Sequence, residues 1–348
     1  MYKIIVGVGL TLALTASSRH AAAAEPVTLE NLVAPAANKT DERVAAKFSL
    51  DRAANFLDSA SLHWQSKRKC MTCHTNYAYL YARPAISSDA PAHGLIRRFA
   101  EQLVLERWEE KGPRWDAEVV ATAAALAFND AQTTGKLHRA TRTALDRMWT
   151  VQRDDGGWSW LKCGWPPMES DDHYGATLAA IAAGVAPDGY AQSEKARTGL
   201  GKIRKYLKEN PPETLHQQAM LLWASSYLDG LMSEGEKKKC VEKLLSLQTE
   251  SGGWALASLG EWQRADGKQQ DLKNSDGYGT GFVIFTLRRA GSPADDPAIQ
   301  RGIKWLKSNQ RESGRWFTRS LNKDNHHFIS HAGTAMAVMA LAACDKPR

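Results

Sequence analysis

The stretch QRDDGGWSWLKCGWPPMESDDHYGATLAAIAAG, Gln152 to Gly184, carries the pattern on which the fold turns. It opens with Q-x-x-x-G-x-W, and the signature returns as QTESGGW, Gln248 to Trp254, and as QRESGRW, Gln310 to Trp316. A signature recurring at intervals of several tens of residues marks a repeat architecture. Each copy closes an amphipathic segment, clearest in AIQRGIKWLKSNQ ending at Gln310, where Ile299, Ile303 and Leu306 recur at helical spacing. Each is followed, after a loop of variable length, by a second segment rich in small residues: DDHYGATLAAIAAG from Asp171, SDGYGTGFVIFTLRRAG from Ser275 and SHAGTAMAVMALAA from Ser330. Ala, Gly and Thr there let helix axes approach closely, and Gly184 and Gly291 stand where the first two would stop.

The interval from Gln152 to Gln248 is about half again as long as the next, which leaves room for a unit without its signature. ARTGLGKIRKYLKENPPETLHQQAMLLWASSYLDG fits that place, with a helix to Glu209, a break at Pro211-Pro212 and a second helix to Leu228. Two more pairs precede Gln152. One is GLIRRFAEQLVLERWEEKGPRW followed by DAEVVATAAALAFND, and the other starts at DRAANFLDSASLHW and continues past Cys70. Six outer and six inner helices suffice to close a ring, so the expected fold is all-α, an α/α toroid (α6/α6 barrel) over residues 48–348. An open solenoid would need polar terminal caps, whereas the last segment carries Met336, Val338, Met339 and Leu341. Residues 25–47 show little periodicity and read as an irregular arm.

The chain begins with Lys3, an apolar run from Ile4 to Ala16 and Ala22-Ala23-Ala24 before Glu25, the pattern of a cleaved signal peptide over residues 1–24. The run is too short to span a bilayer. The expectation is a periplasmic or secreted protein without a transmembrane span, peripheral membrane contact remaining open. Taking Lys3 and Arg19 from 45 basic residues leaves 43 against 38 acids. Lys67-Arg68-Lys69 and Lys237-Lys238-Lys239 read as solvated helix ends, so no nucleic-acid partner is expected. Five cysteines, of which Cys163, Cys240 and Cys344 are scattered, argue against a dense disulfide framework.

The repeats resemble the Gln-Trp motifs of the squalene-hopene cyclase and oxidosqualene cyclase superfamily, whose toroids also occur in protein prenyltransferase β subunits. The resemblance covers most of the chain from Asp51 onward. In squalene-hopene cyclases a Gly-Gly-Trp turn is followed by D-x-D-D at the start of an inner helix; here Gly156-Gly157-Trp158 is followed by Glu169-Ser170-Asp171-Asp172. The resemblance implies that Asp171 is the acid that protonates a terminal alkene, with Glu169 and Asp172 beside it. Crowded carboxylates cannot all ionise cheaply, which is what a proton donor needs. The same residues also suit a helix N-terminus, where Asp and Ser cap and the helix dipole favours acids; Asp276 holds a similar place in SDGYG without companions. Where prenyltransferases set a zinc-binding Cys, this chain has Asp276-Gly277-Tyr278 and Asp172-His173-Tyr174, which disfavours zinc-dependent prenyl transfer.

Cys70-Met71-Thr72-Cys73-His74 is the C-x-x-C-H pattern of c-type haem attachment. Two thiols one helical turn apart would take the vinyl groups and His74 the iron, with His63 or His93 as a sixth ligand. A Cys70–Cys73 disulfide, or a metal site completed by His74 and His63, are the alternatives. His326, His327 and His331 form a further cluster, suited either to metal or to a helix boundary.

Three functions follow as expectations. The first is an enzyme or binding protein for an isoprenoid or other apolar small molecule in the toroid's centre. The second is a non-catalytic periplasmic scaffold or haem c protein. The third is a secreted polysaccharide-active α/α barrel, which rests on analogy of fold.

Overall fold

The structure is a computed structural model and describes residues 25–324 and 328–345. The expected signal peptide and His326 and His327 lie outside the described residues. Helices alternate between an outer and an inner layer. The outer ones are α1 (Leu50–Arg68), α3 (Pro91–Gln102) running on through a π-turn into α4 (Trp108–Lys111), α6 (Arg139–Thr150), α8 (Glu194–Glu209), α10 (Glu234–Ser246) and α12 (Pro297–Asn309). The inner ones are α2 (Ala78–Ala82) with the π-turn Cys73–Tyr77 before it, α5 (Asp116–Thr133), α7 (Asp172–Val185), α9 (Leu215–Ala224), α11 (Gly277–Arg289) and α13 (Ile329–Asp345).

The layers differ because their sequences do. In α12 the buried positions are Ile299, Gly302, Ile303 and Leu306, one stripe of an amphipathic helix. In α7 every residue from His173 to Ala183 is buried, and α11 and α13 are buried almost throughout, as helices enclosed on all sides must be. Small residues make that packing close: a Cβ on Gly281 of α11 would come within 2.5 Å of the α13 backbone at Ala337. The inner helices contact one another in the order α2, α5, α7, α9, α11, α13, and α13 returns to α2. The ring is therefore closed, and the solenoid alternative does not hold. Helix α9 ends at Ala224 rather than at Leu228, because Ser225 to Tyr227 turn away from the helix axis.

The three Gln-Trp turns are one device used three times. The Gln side chain donates across its own turn, from Gln152 to the Gly156 carbonyl at 2.9 Å, from Gln248 to Gly252 at 2.8 Å and from Gln310 to Gly314 at 3.0 Å. The same amide also reaches the next outer helix: Gly199 in α8 at 3.1 Å, Ala298 in α12 at 2.7 Å, and Ser49, the N-cap of α1, at 2.8 Å. Each Trp indole donates back to the carbonyl ten residues earlier, at Met148, Leu244 and Leu306. The first glycine of each turn has φ between 93° and 94°. A side chain there would be strained and would also meet the next outer helix, at the carbonyls of Lys202, Arg301 and Arg52.

The third turn joins the last outer helix to the first, so it closes the ring. The Ser49 N–H also donates to Gln310 Oε1 at 2.8 Å. The arm reinforces this seam. Ala45 N–H donates to the Gln310 carbonyl at 2.8 Å, and the buried Arg315 guanidinium donates to the carbonyls of Ala36 and Ala37 and pairs with Glu42. The residues that read as irregular are thus bonded to the closing joint.

Gly314→Ala is expected to destabilise the chain strongly, by about 3 kcal/mol or more from strain plus displaced backbone. Gly267→Ala, also at positive φ but with nothing within 4 Å of its Cβ, tests strain alone. Thermal denaturation of the two variants checks this, with Gly314→Ala expected to show much the larger drop in Tm.

Candidate functional site

The N-terminal ends of the inner helices converge at one mouth of the ring. Each Gln-Trp turn ties its loop to the next inner helix in the same way. The backbone N–H two residues after the Trp donates to a side chain at the helix start: Trp160 to Asp172, Leu256 to Asp276, Thr318 to Ser330. Asp172 is therefore the repeat equivalent of Asp276 and Ser330, and its other oxygen pairs with Arg153 at 2.7 Å. Asp171 is the N-cap of α7: it accepts from Tyr174 N–H at 2.9 Å and from Ser170 Oγ at 3.0 Å. Two of the three carboxylates are thus engaged in holding the helix start.

Glu169 is different. Burial raises its pKa, and its Oε1 lies 4.0 Å from His74 Nε2, so the E-x-D-D and C-x-x-C-H motifs meet although far apart in sequence. The His74 ring packs edge-on to Trp64 and stacks on Phe328, and its nitrogens lie 3.1 Å from Thr72 Oγ1 and 3.0 Å from Thr75 Oγ1. Thr75 Oγ1 in turn bonds His331 Nδ1 at 3.0 Å. Cys73 is buried, and burial with the Glu169 charge pushes its thiol well up.

The C-x-x-C-H segment does not have the helical geometry expected of it. Cys73 opens a π-turn, but Thr72 before it is extended and Lys69 is left-handed, so Cys70 and Cys73 are not one helical turn apart. The His74 ring has Phe328 stacked on it and Trp64 edge-on, and its Nε2 lies near Thr72 and Glu169. Among the described residues no group of three or more His, Cys, Asp or Glu side chains is arranged to hold a metal ion.

Below the mouth the lumen is filled by aromatic side chains. His216 of α9 stacks on Phe282 at 4.6 Å between centroids and hydrogen-bonds Tyr278 at 3.1 Å, with Tyr174 stacked on its other side. Burial, with His173 nearby, pushes the His216 pKa down to about 3, so the imidazole is neutral. Three loops cover the mouth. Asn322 of segment 317–324 donates to the Gly164 carbonyl and accepts from Ala265 N–H, joining segments 159–171 and 255–276. The buried Arg264 guanidinium locks this cover by bonding the Ser320 carbonyl, Asp266 and Asp324.

At the opposite end, where the inner helices finish, lies an open cavity of ≈ 400 Å³. Every inner helix contributes to it at its C-terminal end or the turn just beyond: Ala85, Phe128, Val185, Tyr227, Phe285 and Met339. Its walls are mainly apolar, and Arg289 stands among them. No sequence motif points to this cavity, because its residues come from the unpatterned ends of six helices.

Comparison with known proteins agrees with this architecture. Residues 219–328 match the family model of the squalene-hopene cyclase C-terminal domain. An ent-copalyl diphosphate synthase from Streptomyces platensis superposes with a TM-score of 0.51 at 16% identity, over 78% of this chain and 50% of that one. The chain has the α/α toroid fold of the squalene-cyclase-like proteins. A polysaccharide lyase gives a TM-score of 0.50 at 9% identity, covering 83% of this toroid and 96% of the lyase, a likeness of fold. The squalene–hopene cyclase of Zymomonas mobilis is 24% identical over 295 residues, 69% of the toroid chain and 42% of the enzyme. A probable squalene–hopene cyclase of Sinorhizobium fredii is 33% identical over 79 residues, 23% of this chain and 12% of the enzyme. The matches span less than half the length of these relatives. No helix among the described residues is long and apolar enough to cross a membrane.

A carboxylate that sequence reading passed over as a cap has the clearest proton affinity. Burial pushes Asp276 up to about 6, against the N–H groups of Gly279 and Leu256 and the Thr318 hydroxyl, which hold it down. It borders a cleft of ≈ 400 Å³ with Asp271, Gln270, Trp305 and Arg319. Between its ordinary value of 3.8 and about 6 the folded chain keeps a proton that the unfolded chain has released. Its contribution to stability is present below that window and lost as pH rises through it. Denaturant melts at pH 4 to 7 are expected to show this fall for the wild type and a flatter profile for Asp276→Asn.

Proposed function

We propose that this toroid binds an apolar small molecule in the cavity at the C-terminal ends of its inner helices, and that it does so without catalysis. The observation that carries the reading is that cavity, to which all six inner helices contribute with aromatic and aliphatic side chains. Its volume of ≈ 400 Å³ falls within the range of small-molecule sites. The relatives named for squalene act on an apolar chain, which supports the class of ligand.

Two observations speak against alkene protonation. Asp171 spends its carboxylate on capping α7, and Asp172 is paired with Arg153. The 14 residues of α7 place these groups about 20 Å from the cavity at the helix's far end. A ligand held there is beyond their reach. We place the protein outside the cytoplasm on the strength of Lys3, the apolar run Ile4–Ala16 and Ala22–Ala24.

Displacement of a fluorescent apolar probe by farnesol tests the binding. The wild type is expected to release the probe and Ala342→Trp, which fills the cavity, to bind at least tenfold more weakly at unchanged Tm; equal binding by both proteins would overturn the site. Incubation with squalene is expected to return it unchanged. Asp171→Asn is expected to keep wild-type stability while Asp171→Ala loses about 1 kcal/mol, as for a cap. A cyclised product that disappears in Asp171→Asn would restore the catalytic reading.

A further inference from the structure

The cavity's polar chemistry is concentrated in one residue. Arg289, in the last turn of α11, sits with its guanidinium carbon 4.3 Å from the centroid of the Tyr227 ring, and its Nε donates to Ser226 Oγ at 3.2 Å. The cation–π contact and that one hydrogen bond hold the guanidinium at the cavity. Of the five N–H donors that an arginine carries, the other four have no acceptor among the described residues. No carboxylate among the described residues lies within 4 Å of it to balance the charge. Its neighbour Arg288 is directed elsewhere, to the carbonyls of Ala343 and Ser292.

A fixed cation with unspent, fork-shaped donors beside an apolar wall is half of an amphiphile-binding site. The apolar half comes from Phe128, Val185, Phe285 and Met339. The guanidinium edge matches a carboxylate or phosphate presented side-on. The positive charge of the guanidinium disfavours a cationic head at that position.

We infer that the ligand of this cavity is an anionic amphiphile, an apolar chain ending in a carboxylate or phosphate, whose head is held by Arg289 while its chain lies against the ends of the inner helices. The inference rests on the binding reading above and adds the chemistry of the head group. Gln132 and Tyr227, which also line the cavity, complete its polar rim.

Titration with ligands that share one chain and differ at the head separates the possibilities. Decanoate, decyl phosphate, decanol and decyltrimethylammonium are each measured by calorimetry on the full mature chain. The two anions are expected to bind at least tenfold more tightly than decanol, and the ammonium more weakly still. The ratio of decanoate to decyl phosphate affinity tells which anion the fork prefers. Arg289→Gln is expected to lower anion affinity to that of decanol while leaving decanol itself and Tm unchanged, with Arg289→Lys restoring part of the preference. If decanol binds as tightly as decanoate, or Arg289→Gln leaves the ratio intact, the head-group inference fails while the cavity stands. If none of the four binds, the cavity reading and this inference fall together.

Discussion

The architecture depends on the glutamine of the Gln-Trp turn, whose single amide group holds its own loop and the neighbouring outer helix at once. Neither contact is strong alone, since a hydrogen bond contributes about 1 kcal/mol net. The constraint is geometric. The turn passes so close to the next helix that only a glycine at positive φ fits, and the buried Trp fixes the turn to the helix before it. Repeated at three of the joints between outer helices, this sets the curvature. At Gln310 it joins the last outer helix to Ser49 and so makes a ring of what would otherwise be an open array.

Closure gives the two ends of the ring different characters. At the N-terminal end of the inner helices the loops that follow the Gln-Trp turns are long enough to meet, and they bond across the axis through Asn322 and Arg264. Beneath them lie the carboxylates and imidazoles, most of them committed to caps, ion pairs or stacked rings. At the other end Ser225 to Tyr227 depart from α9, and α7 and α11 stop at short turns, which leaves an open apolar depression rather than a covered one. The arginines follow a related division: those at the covered end, Arg153 and Arg264, are paired with carboxylates, whereas Arg289 at the open end has no carboxylate within 4 Å among the described residues.

The toroid was legible in the sequence because its determinants are local and repeated: three signatures, glycine-rich inner helices and amphipathic outer ones each state the same answer. The interval between Gln152 and Gln248 could be filled at Ala196 to Gly230 although that unit lacks the signature, because the helical period survives there. What the sequence concealed depends on contacts between distant segments. The meeting of Glu169 with His74 crosses from the third hairpin to the first, and the arm from Ala36 to Ala45 shows no period because its order comes from Gln310 and Arg315. The expectation for Cys70 and Cys73 assumed a helix, whereas α1 ends at a left-handed Lys69 and the chain is extended at Thr72. Asp171 was one of two readings of the same residue, and its hydrogen bond to Tyr174 N–H is that of a cap.

The central claim is that ligand chemistry belongs to the open, arginine-bearing end of the ring and that the covered end is architectural. Hydrogen exchange followed by mass spectrometry, with and without decanoate, tests it most directly. The account predicts new protection at the C-terminal ends of α5, α11 and α13 around Phe128, Arg289 and Met339, with no change in segment 159–171. Protection confined to the loops around Glu169 and Asp171 would contradict it and return function to the covered mouth.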